Sequence, residues 1–237
     1  MSDLDKNKLN ITVLVSSYSQ RNITIETALY YSKICSEVIL VDEQKPFLCE
    51  SETDSLKNKN IKYVVYENNN VQMSVYSVYE KRLLAAKKSK NEFVVHSNHD
   101  ERYTYNGLQA CLKELENDSD LIFCSGQAIA VRKDDFKIHY SRSYENLNEY
   151  ENINSIKDRL LHHSEQYAPI AHYSLWRKKY YINVTEKTMQ IHKTMPTKTI
   201  MEEVIFELAA DIAGNSKAIS QLYWIRNRVN SITHNYN

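Results

Sequence analysis

Glycine is the residue this chain most lacks. Three glycines stand among 237 residues, where an average composition would carry about 7%. There is neither GxGxxG nor GxxxxGK[ST], so the usual sequence basis for dinucleotide binding and for P-loop phosphate chemistry is absent. Cysteine is scarce too, and Cys35, Cys49, Cys111 and Cys124 have no CxxC spacing. That pattern argues against a zinc cluster or a disulfide framework and for reduced thiols in a cytosolic protein. Neither sign of charge is in excess: 30 basic and 30 acidic residues leave no global field to hold nucleic acid or an anionic membrane. A partner of that kind needs a local patch. No run approaches the roughly 18 apolar residues of a membrane span, and the polar start MSDLDKNKLN has no apolar region of the secretory kind. The expected compartment is cytoplasmic, with at most peripheral membrane association.

What is present is tyrosine, eighteen of them, and an alternation of two periods. ITVLVS (11–16) is a short β-branched run, followed by polar SYSQRN and a helix-period stretch, ITIETALYYSKIC. EVILVD (37–42), a loop holding Pro46, and IKYVVY (61–66) follow. An amphipathic helix is expected from about Val71 to Lys88, with Val75, Val78, Tyr79, Leu83 and Ala86 inward. NEFVVHS reads as a fourth strand, TYNGLQACLKELEND as a helix with Leu108, Cys111, Leu112 and Leu115 inward, and DLIFCSG as a further strand. Continuous apolar strands separated by helices predict an α/β fold, a mostly parallel sheet with helices on both faces.

The second half is less regular. A hairpin and an exposed excursion are expected between about 128 and 153, and a helix from about 155 to 165. TKTIMEEVIFELAADIAG is read as a helix with Ile200, Val204, Ile205, Leu208 and Ile212 as its apolar stripe, and SKAISQLYWIRNR as a final helix. Nothing in the middle resembles a linker, so residues 1–237 are taken as one domain, a nucleotide-binding half of about 10–130 and an acceptor half of about 131–237.

The fourth strand runs straight into Asn98, His99, Asp100 and Glu101. In parallel sheets ligands bind outside the carboxyl ends of the strands, which makes this polar knot the first candidate site. The plainer reading is a polar strand exit with Asp100 capping a turn.

Taken in order, ITVLVSSYSQR, EVILVDE and EFVVHSNHDERYTYNGL resemble the GT-A glycosyltransferases, specifically the inverting bacterial enzymes that build capsule and other surface polysaccharides. The likeness covers residues 11–130 best, with an echo in YAPIAHYSLWRKKYY and MEEVIFELAADIAGNSKAISQLYWIRNR. It implies a GT-A, Rossmann-like sheet that moves a sugar with inversion from a nucleotide-sugar donor, a UDP-sugar first, to a glycan or lipid-linked glycan presented at the inner face of the membrane. It also implies roles. Ser16, Tyr18 and Arg21 fall in the turn that lines the nucleotide pocket, and Asp42, with Glu43 as fallback, reads the base. Asn98, His99 and Asp100 fall on the Asp-x-Asp motif, and Leu108 on the Leu that starts the next helix. A divalent cation, Mn or Mg, would be held by Asp100, with His99 as a possible nitrogen ligand. Asn98 departs from the pattern, because it removes one carboxylate while keeping an oxygen acceptor.

Glu202 and Glu203 are the candidates for the base that deprotonates the acceptor hydroxyl. Thr199-x-x-Glu202 is also a capping box, which leaves Glu203 as the better base, while Glu203, Glu207 and Asp211 share the i, i+4, i+8 spacing of a solvated acidic face. Arg226, or Arg228, can fold back on the diphosphate, or else complement the dipole of a helix end. His162, His163, His172 and the pair His96 and His99 lack metal-site spacing. Two rival readings stand beside this one. One is transfer of another nucleotide-activated group, nucleotidyl or phosphoryl. The other is a non-catalytic glycan-binding module.

Overall fold

The computed structural model describes residues 8–17, 20–67, 75–99, 101–133, 137–144, 153, 155–165, 167–194 and 199–227. The chain opens with β1 (Leu9–Ser16), α1 (Arg21–Ile34), β2 (Cys35–Asp42), α2 (Glu50–Lys57), β3 (Ile61–Val65), α3 (Val75–Lys88) and β4 (Phe93–Ser97). A short β5 (Glu101–Tyr103) and α4 (Tyr105–Asn117) lead to the hairpin of β6 (Leu121–Lys133) and β7 (Ile138–Ser143). Then come α5 (Ile156–Glu165), a 3-10 turn (Ala171–Tyr173), β8 (Leu175–Arg177), α6 (Lys178–Thr194), α7 (Thr199–Ala213) and β9 (Asn215–Asn227).

One sheet runs through the molecule in the order β3-β2-β1-β4-β8-β6-β9-β5, with β7 added to β6. The first four strands are parallel. The sheet is mixed beyond them, because β8 is antiparallel to both β4 and β6 and β5 is antiparallel to β9. Every residue of β1 except Asn10 is buried, as a strand covered on both faces requires. Alternate residues feed two cores. Val13, Val15, Val38 and Val95 join Tyr31 of α1 and Leu108, Cys111 and Leu115 of α4, while Leu14, Ile39 and Val94 join Tyr79 of α3, Val184 of α6 and Phe206 of α7. The inward face expected for α4 is thus the one observed, and Thr104 caps it by accepting from the Gly107 amide at 3.0 Å.

Four expectations need correction. The stretch 215–227 is a strand, not a helix. Ile219, Leu222, Tyr223 and Arg226 do have helical spacing, but Tyr, Trp and Ile suit a pleated surface better, and register shifts around Gly126 and Gln127 of β6 accommodate the irregular pattern. Helices α2 and α6 were not anticipated; α2 is a polar helix with Leu56 as its buried anchor. The inward face of α3 carries Lys81 and Arg82, both buried, with Leu83 only partly so. Finally, α7 does not bury its apolar stripe as expected: Val204, Ile205 and Leu208 are only partly buried and Ile212 is 52% exposed, while Glu202, Glu207 and Asp211 are buried. The solvated acidic face therefore does not hold for Glu207 and Asp211.

Gly107 shows how tightly α4 seats on β9. A Cβ there would lie 2.5 Å from Tyr223 Cα and 2.6 Å from the Leu222 carbonyl, backbone atoms that cannot rotate away. Gly107→Ala is expected to destabilise by about 1–3 kcal/mol through overpacking, although alanine is the better helix former. Chemical denaturation measures it, and an unchanged or raised midpoint would refute the close approach.

Candidate active site at the carboxyl ends of the parallel strands

At the end of β1, the hydroxyls of Ser16 and Ser17 are buried without a hydrogen-bond partner, an arrangement that costs free energy unless a ligand supplies the partner. Beside them Asp42 closes β2. Its carboxylate accepts from Arg21 Nε at 2.8 Å, from the Tyr63 hydroxyl at 2.7 Å and from the Gln44 amide at 3.0 Å. Arg21 continues to the Gln44 carbonyl. The turn residue Arg21 and the strand-end Asp42 are therefore one unit, with Asp42 only 1% exposed. Tyr18 lies outside the described residues.

Helix α3 brings two buried cations to this end of the sheet. Lys81 reaches Glu43 at 2.8 Å and the Ser17 carbonyl at 3.3 Å; burial lowers its pKa, and Glu43 opposes that shift. Arg82 meets no carboxylate among the described residues. Its guanidinium faces His172 Nε2 at 2.9 Å and lies 5.4 Å from the Tyr79 ring centre, and its Nε is buried without a partner. A buried cation without a counter-ion is expensive, and an anion from solution would relieve it. Sequence reading passed over both residues; the available signal was two basic side chains on the helix face shared with Tyr79, Ala85 and Ala86.

The polar knot follows β4. Asn98 Nδ2 donates to Glu101 Oε2 at 3.2 Å, and Glu101 is 1% exposed. Pairing of β5 with β9 sets Glu101 opposite Arg226, so Arg226 does arrive at the knot, from a strand. His99 turns its carbonyl to the Thr27 hydroxyl at 3.1 Å and to Arg102 at 2.9 Å. Asp100 and Arg228 lie outside the described residues. Among the described residues no group of three or more His, Cys, Asp or Glu side chains could hold a metal ion. The Asn98 amide is turned onto Glu101.

The fourth wall is α7, which is held by its acids. Glu202 lies 2.8 Å from His192 Nδ1 of α6, and its other oxygen is buried without a partner; that corrects the capping box, since Glu202 does not reach back to its own helix start. Glu207 accepts the Ala171 and His172 amides of the 3-10 turn at 2.9 and 2.7 Å. Burial pushes its carboxyl well above the ordinary value, against those two bonds. Asp211 lies 3.1 Å from His163 Nδ1. His163 and His172 are thus tied to protein groups. Glu203 alone of these acids is only half-buried, and it accepts from the Tyr167 hydroxyl at 2.8 Å.

The knot and α7 converge on Tyr173. Burial chiefly, then the charge of Glu101, raises the Tyr173 hydroxyl well above its usual pKa, with Arg226 opposing and Glu203 adding. Its ring stacks on Trp224 at 3.9 Å. Among the described residues the arrangement offers hydroxyls without partners, a cation without a counter-ion, and a half-buried carboxylate.

His96 and His172 sit behind this cluster with ring centres 5.8 Å apart. Burial first, then the Arg82 charge, holds both well below the ordinary 6.5. In the folded protein they stay neutral where the unfolded chain would take up protons, so they favour folding fully above pH 6.5 and progressively less as pH falls below it. Denaturation between pH 8 and 5 should show stability falling on the acid side. The fall should be smaller in His96→Gln, and an identical slope in the variant would refute the assignment.

No family model matches the chain, and no curated protein matches it in sequence. Solved structures do. S. aureus TarS residues 1–349 superposes with a TM-score of 0.58 at 14% identity, over 92% of this chain and 60% of that one. The same fragment with UDP-GlcNAc gives 0.62 at 14% identity, over 97% and 61%, and its complex with UDP gives 0.59. The chain spans about three fifths of the TarS fragment it matches. At this identity the likeness speaks for architecture alone: the molecule has the α/β, Rossmann-like GT-A fold.

Proposed function

We propose that the chain is a glycosyltransferase that moves a sugar from a nucleotide-sugar donor, a UDP-sugar first, to a glycan or lipid-linked glycan acceptor, with inversion. The observation that carries the reading is Glu203, half-buried and held by the Tyr167 hydroxyl at 2.8 Å, on a GT-A fold whose strand ends carry the unpartnered Ser16 and Ser17 hydroxyls and the buried Arg82. TarS, a GT-A glycosyltransferase with this fold, has been crystallised with UDP and UDP-GlcNAc.

In this reading the nucleotide lies along the ends of β1 and β2, where the Ser16 and Ser17 hydroxyls take partners and the Asp42 and Arg21 unit faces the base. Arg82 and Arg226 offset the charge that grows on the departing diphosphate. The acceptor hydroxyl attacks the anomeric carbon from the face opposite the diphosphate. The carbon–oxygen bond to the phosphate breaks as the new one forms, and Glu203 takes the hydroxyl proton. Tyr167 keeps that carboxylate oriented and gives up a hydrogen bond as the proton arrives. Glu202, engaged by His192, holds α7 in place. A divalent cation, Mn or Mg, remains part of the proposal through Asp100, and no step above depends on it. Action at the inner face of the membrane likewise belongs to the proposal; no helix among the described residues is long and apolar enough to cross one.

Thermal unfolding with UDP, GDP, CMP and dTDP, each with and without Mn, tests the donor site. UDP at 100 times its Kd should stabilise by about 2.7 kcal/mol. Arg82→Ala should remove that gain, since it deletes a cation and strands no carboxylate. Loss of the gain in Asp100→Ala only when Mn is present would bring the cation in. Glu203→Gln should keep the UDP shift while UDP release from UDP-GlcNAc falls by about 10²–10⁴. If no nucleotide moves the midpoint of a folded protein, the donor site is wrong; if Glu203→Gln turns over normally, the base is wrong.

A further inference from the structure

The opposite end of the sheet holds a cavity of about 650 Å³, bounded by the amino ends of β1, β2 and β3, by α2 and by the turn before β4. That volume is in the range of small-molecule sites, and nothing in the proposed transfer uses it. Its floor is a fixed polar network. Glu37, 8% exposed, accepts from the Thr12 hydroxyl at 2.7 Å and the Lys90 amide at 2.8 Å. Asn91 Nδ2 donates to Thr12 Oγ1 at 3.1 Å and to Ser36 Oγ at 2.8 Å. Three segments are thereby locked together, and the carboxylate is held at the base of the cavity by bonds to one of its two oxygens.

The rim carries three lysines and one acid, Asp54. Lys57, Lys62 and Lys90 line the cavity, and among the described residues none of the three has a carboxylate partner. By contrast Lys81, Lys87 and Lys217 each lie within 3.0 Å of one. Lys62 is tethered by its ammonium to the Lys88 carbonyl at 3.4 Å. Three cations against Glu37 and Asp54 leave the depression with one positive charge in excess, and the lysines at its rim give a local positive field that a neutral ligand does not need. The acceptors below them are ones that a bare anion would avoid. A floor that accepts hydroxyls under a rim that attracts negative charge calls for both features in one molecule.

We propose that this cavity is a second, non-catalytic binding site for an anionic saccharide. The sugar hydroxyls would lie on Glu37, Ser36 and Asn91, and the phosphate or carboxylate would face Lys57, Lys62 and Lys90. The two sites open at opposite ends of β1 and β2, and Tyr63, which lines this cavity, also donates its hydroxyl to Asp42 of the donor site at 2.7 Å.

Titration followed by two-dimensional NMR or calorimetry tests this on the full chain, with saturating UDP present to close the donor site. The probes are glucose 6-phosphate, glucuronate, glucose and inorganic phosphate. The expected result is that at least one anionic sugar binds ten times more tightly than both glucose and inorganic phosphate. Lys57→Glu with Lys90→Glu, exposed changes that leave the floor side chains intact, should weaken it at least tenfold while the UDP shift stays unchanged. Preference for glucose 6-phosphate over glucuronate, or the reverse, identifies the anion. Equal binding of inorganic phosphate would reduce the site to an adventitious anion patch and overturn the proposal. Binding that disappears when UDP is added would assign it to the donor site, and no binding of either anionic sugar would also overturn it.

Discussion

The carboxylate of Glu207 is the joint on which the site depends. Enclosed between α7 and the 3-10 turn, it accepts the amides of both Ala171 and His172, donors that a buried turn would otherwise leave unsatisfied. Through one bond it fixes the helix that carries Glu203; through the other it fixes the residue whose ring meets Arg82. Trp176 adds a bond from its indole to the Ala171 carbonyl at 2.7 Å, which ties the same turn to β8. The accessible acid and the buried cation are therefore placed by one connection, although their helices are more than a hundred residues apart in sequence.

Charge, more than apolar contact, distinguishes this end of the molecule. Lys81 with Glu43 and Arg21 with Asp42 are partly or wholly buried ion pairs. Such pairs add little stability over an apolar substitute, yet breaking one by removing a single partner costs about 3–5 kcal/mol. They specify arrangement more than they stabilise. Against that background Arg82 stands out, because its surroundings supply a histidine nitrogen and an aromatic face where the other cations meet carboxylates or their equivalents.

The legible part of the fold was the part in which one rule applied at a time. In β1, β2 and β4 nearly every residue is buried, so continuous runs reveal the strands and their ends reveal Ser16, Asp42 and Asn98. The stripe of α4 faces a single core and is read directly. Legibility failed where tertiary partners overrode local pattern. The acids of α7 are buried because His192, His163 and two backbone amides await them, and no spacing within the helix discloses those partners. The segment 215–227 satisfied a helical period by coincidence, and only its pairing with β6 decides the matter. Arg226 was expected on a final helix, folding back on the diphosphate or complementing the helix dipole; it reaches the knot through strand register instead.

The amide at position 98 then has a physical explanation. Its nitrogen stands 3.2 Å from Glu101 Oε2, and Glu101 is enclosed where β5 crosses in front of β9. A carboxylate at 98 would bring two negative groups to about 3 Å in a desolvated setting, and one of them would have to hold a proton. The amide donates there without adding charge. Glu101 opposite Arg226 and an acid at 98 would therefore compete for the same space. This chain keeps the first, so the balance of charge at the strand end is struck between a carboxylate and a guanidinium set by strand pairing.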